Sequence, residues 1–429
     1  MQMQSQFLNS RKLGVIGLGY VGLPLAILAG QKEFTVLGID NDEDKVASLR
    51  QGKSYITHTQ NKELQNLLNN RFIQFITDYG GLTHCEVIVV CVPTPLTRDK
   101  KPDYSYLICA VREIAAVLRR GQLVIIESTV APQATKEIIL PILEATGLIG
   151  GIDFYIAHSP ERIDPGNKDF GVADIPKLVA GLTPACRALA CSFYQQLGLT
   201  VVPVSALAVA ELAKLLENTY RDVNIAFINE MAQVCRANNI DIWEVIAAAT
   251  TKPFGFQPFY PGPGVGGHCV PVDSVYYATW ARSSGTPAKL AEYARVVNDA
   301  VPQYVSSMIV DSLPQGIDMS ASKIMVLGVT YKKDSNDVRE SPVIKLIELL
   351  TEEGAQVSFH DPFVAQIRVK DKVLSGTVLE EAIIAKHHCI VLAVPHSTYN
   401  FSWIHRVSPS IVDLTNTLES WPHRQNNKM

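Results

Sequence analysis

The sequence lacks several features that would assign it to a specialised class of protein. It has no Cys-x-x-Cys pair, and its cysteines and histidines show no zinc-finger spacing, so we predict that it holds no metal. It has no block of like charges and a formal net charge of −4, which argues against a dedicated nucleic-acid-binding protein. Charged residues make up only 19% and apolar residues 47% of the chain, values that exclude a disordered or collagen-like chain.

The eight cysteines are scattered through 429 residues rather than concentrated in a short secreted chain, so we expect reduced thiols and a cytoplasmic protein. One stretch, 13–30, has no charged residue and is long enough to suggest a signal peptide or a membrane anchor. It contains five glycines and a proline, however, and their spacing is better explained by a strand, a tight turn and a helix. We therefore expect a soluble protein without a targeting segment.

Short apolar strands alternate with segments of helical length, which predicts an α/β fold with a Rossmann-like, doubly wound parallel sheet. The segment 206–236 contains neither glycine nor proline, and its apolar residues recur at helical spacing, so it is predicted to form one long helix. A second Rossmann-like unit begins at Lys323, after a turn-rich linker over 313–322. The predicted strands are 12–16, 35–39, 87–92, 123–127, 154–157, 177–180, 324–327, 357–360, 389–393 and 411–414.

The segment Gly17-Leu-Gly19-Tyr-Val-Gly22 follows a predicted strand and opens a predicted helix, as in dinucleotide-binding folds. Gly17 permits the tight turn, Gly19 lets the backbone approach a pyrophosphate, and Gly22 lets the helix pack against the strand. The N–H groups at the helix N-terminus are suited to bind phosphates. Asp40 ends the next strand and is suited to accept hydrogen bonds from a ribose diol, which favours NAD over NADP. The alternative for Asp40 is the N-cap of the following helix.

Two threonines follow further predicted strands. Thr94 lies in the segment Cys91-Val-Pro-Thr-Pro, and Thr129 follows the strand 123–127. Ligands of doubly wound sheets bind outside the carboxyl ends of the strands, so each hydroxyl is placed to contact the cofactor. Loop or cap hydrogen bonding is the alternative for both.

The most unusual segment is the loop Gly262-Pro-Gly-Val-Gly-Gly-His-Cys269. Its glycines allow the backbone to approach another group closely, and Cys269 stands where a helix is predicted to start. A helix N-terminus favours the thiolate form, so Cys269 is the candidate nucleophile, with a small buried residue as the alternative. The neighbouring His268 is expected to be structural or substrate-facing rather than a base, because adjacent side chains usually point in different directions.

The long predicted helix carries four polar residues at spacings of three and four, and hence on one face: Glu211, Lys214, Asn218 and Arg221. Lys214 and Asn218, one turn apart, can both donate hydrogen bonds to a developing oxyanion. A solvated face carrying a Glu211–Lys214 ion pair is the alternative that the spacing alone favours.

Glu161 and Arg162 follow the predicted strand 154–157. A carboxylate there is placed to activate water, alone or through Thr129. Arg162 is placed to bind a phosphate or to hold Glu161. An ion pair in a surface loop is the alternative for both residues.

Taken together, these segments resemble the UDP-glucose/GDP-mannose dehydrogenase family of nucleotide-sugar 6-dehydrogenases, over residues 11 to 420. The matching motifs are GLGYVGLP (17–24), CVPTP (91–95), EST (127–129), SPER (159–162), ELAKLLENTYRDVN (211–224), GPGVGGHC (262–269) and GVTYKKDSNDVRESP (328–342). Within the family the chain is most similar to bacterial UDP-N-acetyl-D-glucosamine 6-dehydrogenases. Glucose-type members usually carry a second glutamate where this chain has Pro165, which weakens the glucose interpretation.

The resemblance implies an N-terminal NAD-binding domain over 1–203, a central helical dimerisation domain over 204–312 and a C-terminal UDP-binding domain over 313–429. It implies Cys269 as nucleophile, Lys214 and Asn218 as oxyanion stabilisers, and further groups that orient or activate water, namely Glu161, Thr129 and Asp273. The implied NAD contacts are Gly17, Gly19, Tyr20, Val21, Gly22, Asp40, Lys45, Pro93, Thr94 and Thr129. The implied substrate contacts are Arg162, Ile163, Lys214, Asn218, Arg221, Tyr260, Gly266, Tyr331, Lys332 and Arg339.

The reaction implied by the resemblance is a four-electron oxidation of C6 of a UDP-sugar through a thiohemiacetal and a thioester on Cys269. UDP-N-acetyl-D-glucosamine is the preferred substrate, with UDP-glucose and UDP-N-acetyl-D-mannosamine as alternatives, in the synthesis of polysaccharide precursors. A two-electron hydroxyacid-type dehydrogenase and a non-catalytic nucleotide-sugar-binding protein are more distant alternatives. We expect a homodimer formed through the central helix, and neither a nucleic acid nor a membrane as partner.

Overall fold

The computed structural model describes residues 11–56, 60–163, 171 and 174–418, together with the backbone of 427–428. The chain forms two compact units. The N-terminal unit comprises the residues up to Glu217 and Thr279–Ser284, and the C-terminal unit comprises Asn218–Ala278 and the residues from Gly285 onwards. The division into three domains stays a prediction.

An eight-stranded sheet forms the N-terminal unit, in the spatial order β3-β2-β1-β4-β5-β6-β7-β8. Strands β1 to β6 are parallel and follow the order of a Rossmann fold. Strand β7 is antiparallel to β6, and β8 is parallel to β7, so these two strands run in the opposite direction. The strands are β1 (Lys12–Ile16), β2 (Thr35–Ile39), β3 (Ile73–Ile76), β4 (Val87–Val90), β5 (Leu123–Ile126), β6 (Tyr155–His158), β7 (Lys177–Gly181) and β8 (Val201–Pro203).

Helices cover both faces of this sheet, which explains why its central strands are apolar throughout. Along β4, Val87 and Val89 pack into the core on one face, while Ile88 and Val90 pack into the core on the other. The helices are α1 (Gly22–Gln31), α2 (Glu43–Arg50), α3 (Asn61–Asn69), α4 (Ser105–Val117), α5 (Leu140–Glu144), α6 (Pro184–Gln196) and the start of α7 (Leu207–Ala237). Single turns of 3₁₀- and π-helix occupy Gly80–His84 and Thr135–Ile139.

The C-terminal unit contains a parallel sheet in the order β10-β9-β13-β14-β15 and a separate hairpin of β11 and β12. Alternate residues of its central strand again divide between two cores, with Ile324 on one face and Met325 on the other. The strands are β9 (Lys323–Leu327), β10 (Gln356–His360), β11 (Gln366–Val369), β12 (Lys372–Ser375), β13 (Cys389–Leu392), β14 (Ile411–Asp413) and β15 (Asn427–Lys428). The helices are the rest of α7, α8 (Ile242–Thr250), α9 (Val270–Ser283, whose residues from Thr279 belong to the N-terminal unit), α10 (Lys289–Ser312), α11 (Pro342–Glu352), α12 (Glu381–Ile384) and α13 (Phe401–Val407), with a 3₁₀ turn at Met319–Ala321.

The predicted Rossmann-like α/β fold and the long helix are confirmed. Stretch 13–30 forms β1, a turn and α1, and no helix among the described residues is long and apolar enough to span a bilayer. The sequence did not predict β3, β8, β11, β12 and β15. These strands have two to four residues and lie at sheet edges or in the hairpin, so each offers only a brief sequence pattern.

Candidate active site

The glycine-rich turn after β1 has the geometry of a dinucleotide-binding loop. Gly17 has φ +87°, and a Cβ atom there would lie 2.7 Å from the backbone oxygen of Cys91. A Cβ on Gly22 would lie 1.9 Å from the oxygen of Gly17, so only glycine lets α1 start so close to the turn. A Cβ on Gly19 would meet no atom within 4 Å. Space at Gly19 and a helix N-terminus without a side-chain cap fit a bound pyrophosphate.

Asp40, at the end of β2, is buried and faces this turn. Its Oδ2 accepts a hydrogen bond from the backbone N–H of Leu18 at 2.8 Å, and its Oδ1 accepts one from Asp42 at 3.1 Å. Helix α2 is instead capped by Asp42, whose carboxylate accepts a hydrogen bond from Lys45 N–H. That hydrogen bond lowers the pKa of Asp42. Asp40 is therefore not the N-cap, and its position beside the turn fits the ribose of a dinucleotide.

The remaining predicted cofactor residues lie around the same edge of the sheet. Strands β1, β4 and β5 are adjacent and parallel, so the segments that follow them lie at one edge. Pro93 and Thr94 follow β4, Thr129 follows β5, and Tyr20 and Val21 belong to the glycine-rich turn. The ammonium group of Lys45 lies 3.4 Å from Asp42 and 5.9 Å from the ring centroid of Tyr55. This set of residues fits the binding of NAD.

A buried ion cluster that the sequence did not reveal lies beside these segments. The ammonium group of Lys177, at the start of β7, lies 2.7 Å from Oε2 of Glu161 and 3.0 Å from Oε1 of Glu127. Tyr194 donates a hydrogen bond to Glu127, and the Sγ of Cys91 lies 3.8 Å from the same carboxylate. Buried charges of this kind are stable only when they are paired. The sequence signal is a lysine at the start of an otherwise apolar strand.

The pKa values of the two carboxylates of this cluster are shifted in opposite directions. Burial alone would raise the pKa of Glu161, but the charge of Lys177 and hydrogen bonds from Lys177, Ile163 N–H and Arg162 N–H outweigh it and lower the pKa. Burial raises the pKa of Glu127, with Glu161 acting in the same direction against the opposing charge of Lys177. Glu161 is therefore the carboxylate that stays ionised over the wider pH range.

Arg162 does not hold Glu161 through its guanidinium group. Its Nε and Nη2 atoms donate to the two carboxylate oxygens of Glu217, at 3.1 Å and 2.5 Å, and its Nη1 donates to the oxygen of Pro176. The alternative of a surface ion pair between Glu161 and Arg162 is thus wrong, because Glu161 pairs with Lys177 and Arg162 pairs with Glu217. Ile163 contributes its backbone N–H to Glu161 at 2.7 Å.

The polar face of α7 is buried over its first part. Glu211 accepts hydrogen bonds from the backbone N–H groups of Gln133 and Thr135, at 2.6 Å and 3.0 Å, and is 1% exposed. Lys214 and Asn218 are also buried, whereas Arg221 is exposed. The solvated Glu211–Lys214 pair that the spacing favoured is therefore wrong, since Glu211 anchors the loop after β5.

Cys269 immediately precedes α9, as the sequence predicted. Its backbone oxygen accepts a hydrogen bond from Asp273 N–H at 2.8 Å, which closes the first turn of the helix. The side chain of Asp273 accepts a hydrogen bond from Asn218 Nδ2 at 2.5 Å, and both side chains are buried. None of the eight cysteines, all of which are described, forms a disulfide, and Cys269 is half-buried.

The glycine-rich loop before Cys269 packs against the segment that follows β9. Cβ atoms on Gly266 and Gly267 would lie 2.7 Å and 2.8 Å from the side chain of Tyr331, so larger residues would not fit. Gly267 N–H also donates to the backbone oxygen of Arg339 at 3.3 Å. The guanidinium group of Arg339 binds Asp337, while the backbone oxygen of Lys332 accepts a hydrogen bond from the Thr330 hydroxyl. The structure thus brings the predicted residues Gly266, Tyr331 and Arg339 together.

Tyr260 lies at one wall of a cavity of about 480 Å³ in the C-terminal unit. Its ring stacks on Trp243 with a centroid distance of 5.8 Å, and it is exposed. The other lining residues are Pro261, Gly262, Pro263, Leu414 and Thr415. Across the described residues, no group of three or more His, Cys, Asp and Glu side chains is arranged to bind a metal ion.

Comparison with known proteins gives three matches to a single family along the chain. They are the NAD binding domain of the UDP-glucose/GDP-mannose dehydrogenase family over residues 11–198, its central domain over 208–300 and its UDP binding domain over 325–420. The chain is 40% identical over 394 residues to a UDP-N-acetyl-D-glucosamine 6-dehydrogenase of Pseudomonas aeruginosa, covering 90% of this chain and 91% of that protein.

A second group of relatives has a different sugar in its name. The chain is 32% identical over 414 residues to a UDP-N-acetyl-D-mannosamine dehydrogenase of Pyrococcus horikoshii, covering 96% of this chain and 97% of that protein. The solved structure of a UDP-D-ManNAc dehydrogenase from Pyrococcus horikoshii superposes with a TM-score of 0.85 at 32% identity, over 94% of each chain.

Proposed function

The chain belongs to the UDP-glucose/GDP-mannose dehydrogenase family of NAD-dependent UDP-sugar oxidoreductases, and we propose that it oxidises C6 of UDP-N-acetyl-D-glucosamine to the uronic acid. The proposed reaction removes four electrons and consumes two NAD⁺ and one water for each sugar. It yields the uronate, two NADH and three protons. We propose that the product serves polysaccharide precursor synthesis, as the sequence resemblance implies.

The observation that carries the four-electron scheme is the placement of Cys269 at the N-terminus of α9 in a chain that also has a dinucleotide-binding turn. An aldehyde does not readily lose the hydride on its carbonyl carbon. Addition of a nucleophile gives a tetrahedral adduct whose oxygen can form a new carbonyl as the hydride leaves. The helix N-terminus stabilises a thiolate, and the adjacent glycines, which have no side chains, let a substrate approach the backbone closely. Cys269 is therefore the group that we assign to this addition.

NAD, when bound, accepts a hydride from C6 in each of the two oxidations. We propose that Lys214 takes the proton of the C6 hydroxyl and that Lys214 and Asn218 donate hydrogen bonds to the charged oxygen. The Cys269 sulfur adds to the aldehyde carbon to give a thiohemiacetal, which becomes a thioester in the second oxidation. Water then adds to the thioester carbonyl, and the C–S bond breaks. Glu161, Thr129 and Asp273 are assigned to orient or activate that water.

The burial of Lys214 and Asn218 supports the roles proposed for them. A lysine and an amide that are withdrawn from solvent stabilise an oxyanion more strongly than exposed ones, because water does not screen them. The proposed substrate contacts Gly266, Tyr331 and Arg339 lie together in the C-terminal unit. Tyr331 and Arg339 fall within the match to the UDP binding domain over 325–420, and Gly266 falls within the match to the central domain over 208–300.

The choice of sugar rests on sequence similarity. The 40% identity to a UDP-N-acetyl-D-glucosamine 6-dehydrogenase supports the glucosamine derivative, whereas the relative at 32% identity acts by name on the mannosamine derivative. The two sugars differ only in configuration at C2. Pro165, which weakens the glucose alternative, lies outside the described residues.

A substrate panel tests this proposal. Initial rates of NADH formation at 340 nm would be measured for UDP-N-acetyl-D-glucosamine, UDP-N-acetyl-D-mannosamine and UDP-glucose, with product masses from each. We expect the highest kcat/KM for the first sugar and a product carrying a C6 carboxylate. A higher kcat/KM for either other sugar would reassign the substrate, and binding without NADH formation would support a non-catalytic protein.

We also propose a homodimer formed through α7. Tyr220, Phe227 and Val234 are exposed on this helix and follow one another at seven-residue intervals, the spacing by which long helices pair. Helix α10 also exposes apolar side chains, namely Leu290, Tyr293 and Val296. Arg221 lies next to this row of residues and is exposed, so it is the candidate for reaching the partner subunit. Several exposed, large apolar side chains on one helix are typical of a protein–protein contact.

A further inference from the structure

We propose that Lys177 is a positioning residue for Glu161, which it holds as a fixed, ionised carboxylate during hydrolysis of the Cys269 thioester. The inference rests on the proposed function, since it concerns the last step of that reaction. Lys177 is 6% exposed, and its ammonium group lies 2.7 Å from Oε2 of Glu161. This lysine lies outside every motif that carries the family resemblance.

The fold itself places the two residues opposite each other. Strand β7 is antiparallel to β6, with Ala157 paired to Gly181 and His158 paired to Ala180. The same register, continued beyond the end of β6, puts Glu161 opposite Lys177. The amino end of β7 therefore meets the segment after the carboxyl end of β6, and the ion pair follows from the strand direction rather than from long side chains reaching across the surface.

Three donors fix the Glu161 carboxylate. Oε1 accepts hydrogen bonds from the N–H groups of Arg162 and Ile163, both at 2.7 Å, and Oε2 accepts the hydrogen bond from Lys177. Two of the donors are backbone groups that remain when Lys177 is replaced. Lys177 is thus the only one of the three that a substitution can remove without changing the loop sequence.

The other groups that face Lys177 make its charge necessary. Glu127 approaches from the end of β5, Tyr194 of α6 places its ring centroid 5.3 Å from the ammonium group, and His158 and Cys91 lie in the same buried cluster. Burial would lower the pKa of Lys177, but Glu127 and Glu161 outweigh it and raise the pKa, so the ammonium form persists. Without Lys177, two buried carboxylates would remain together without the cation that pairs with both of them, which favours protonation of one of them.

Protonation of Glu161 would matter in the hydrolysis. In this step the water oxygen bonds to the thioester carbon, the C–S bond breaks, and the uronate and the Cys269 thiolate form. Of the two protons of the water, one protonates the thiolate and one passes to solvent. A carboxylate can accept a hydrogen bond from the attacking water, whereas a carboxylic acid is a poor acceptor. Lys177 therefore extends the pH range of hydrolysis toward acid.

The test compares Lys177→Met, Lys177→Arg and the exposed control Lys136→Met in the full-length enzyme with UDP-N-acetyl-D-glucosamine. Acid-quenched samples are analysed by intact mass for an acyl adduct on Cys269, and kcat is measured from about pH 5.5 to 9. We expect Lys177→Met to accumulate the adduct, to show an NADH burst before a slow steady state, and to lose activity at a pH roughly one unit or more above that of the wild type. Lys177→Arg should restore the profile, and Lys136→Met should match the wild type.

Glu127→Gln provides a test that does not remove the lysine. It leaves one carboxylate for one ammonium group, so the acidic loss of activity should move to lower pH than in the wild type, and Lys177→Met/Glu127→Gln should recover part of the single variant's loss. An equal loss of kcat at every pH without adduct, or no shift in Glu127→Gln, would overturn the proposal. If instead the proposed four-electron reaction is wrong, the wild-type enzyme will form one NADH per sugar, a result that does not depend on any Lys177 variant.

Discussion

Asn218 donates a hydrogen bond from Nδ2 to Oδ2 of Asp273 at 2.5 Å, and both side chains are buried. Asp273 belongs to the first turn of α9, and its backbone N–H donates to the oxygen of Cys269. The side-chain hydrogen bond therefore ties α7 to the helix start beside the proposed nucleophile. Replacing Asn218 would therefore remove a proposed oxyanion donor and also the hydrogen bond that holds α7 to the first turn of α9.

Replacing Asn218 with alanine should lower kcat by roughly 10²- to 10³-fold, the cost of removing one oxyanion donor. The buried carboxylate of Asp273 also loses the hydrogen bond from Asn218, which should destabilise the fold by about 1–3 kcal/mol. Steady-state kinetics and urea denaturation measure the two effects. Asn224→Ala is the matched control, because the Asn224 amide donates to a backbone oxygen of the same helix, that of Tyr220. A kcat within twofold of the wild type in Asn218→Ala would remove this residue from the mechanism.

Variants of Asp40 and Asp42 should distinguish the role of Asp40 in cofactor binding from the role of Asp42 as a helix cap. Asp40→Ala should raise the Kd for NAD⁺ by about 10- to 100-fold. The variant lacks the carboxylate that is proposed to bind the ribose, and the N–H of Leu18 in the turn loses its hydrogen-bond acceptor. Asp42→Ala removes the N-cap of α2 and should cost about 0.5–2 kcal/mol of stability, with a much smaller effect on NAD⁺ binding. Calorimetric titration with NAD⁺ and thermal unfolding report the two properties. Equal Kd changes in both variants would contradict the assignment of Asp40.

His158 makes stability sensitive to acid. Burial, with the charge of Lys177, lowers its pKa to about 3. Since an unfolded histidine titrates near the usual value of about 6.5, the unfolded state binds more protons between these two values. The contribution of neutral His158 to the free energy of unfolding is fully present above about pH 6.5, and below that pH it falls by up to about 1.4 kcal/mol per pH unit. His158→Gln should flatten this dependence in urea denaturation at pH 7 and 5. The exposed His84→Gln is the control, and an unchanged slope in His158→Gln would show that burial of His158 is not the cause.

Phe227→Glu tests the proposed dimer. Phe227 is 56% exposed at the middle of the apolar row on α7, and a carboxylate there would be buried without a partner in a helix pair. Light scattering should give the mass of a dimer for the wild type and about half of it for Phe227→Glu. Tyr106→Glu, at an exposed position of α4, should leave the mass unchanged. A wild type with the mass of one chain would refute the dimer.

Local sequence patterns predicted the parts of the site that depend on a single segment. The glycine spacing predicted the turn at Gly17 and the start of α1, and the residue types around Cys269 predicted a helix start there. Both follow from backbone geometry within a few residues, which the sequence determines directly. The long helix was equally accessible, because 3.6-residue periodicity persists over its whole length.

The ion cluster could not be predicted in the same way, because it depends on strand direction. In an all-parallel sheet, Lys177 at the start of β7 would lie at the edge opposite to Glu161. The antiparallel direction of β7 brings them together. A signal was present in the connecting segment 159–176, which contains three prolines and two glycines and so does not suit the helix of a parallel crossover. The partner of Arg162, Glu217, is 55 residues away in sequence and had no local signal.

The number of NADH formed per UDP-sugar consumed, measured in the wild type and in Cys269→Ala, shows whether C6 loses four electrons through an intermediate on Cys269. A four-electron oxidation through a covalent intermediate on Cys269 predicts two NADH per sugar in the wild type. It also predicts that uronic acid formation falls by at least about 10³-fold in Cys269→Ala, as for removal of other catalytic nucleophiles. One NADH per sugar, or a Cys269→Ala enzyme that still forms the uronic acid at a wild-type rate, would exclude a four-electron oxidation through Cys269.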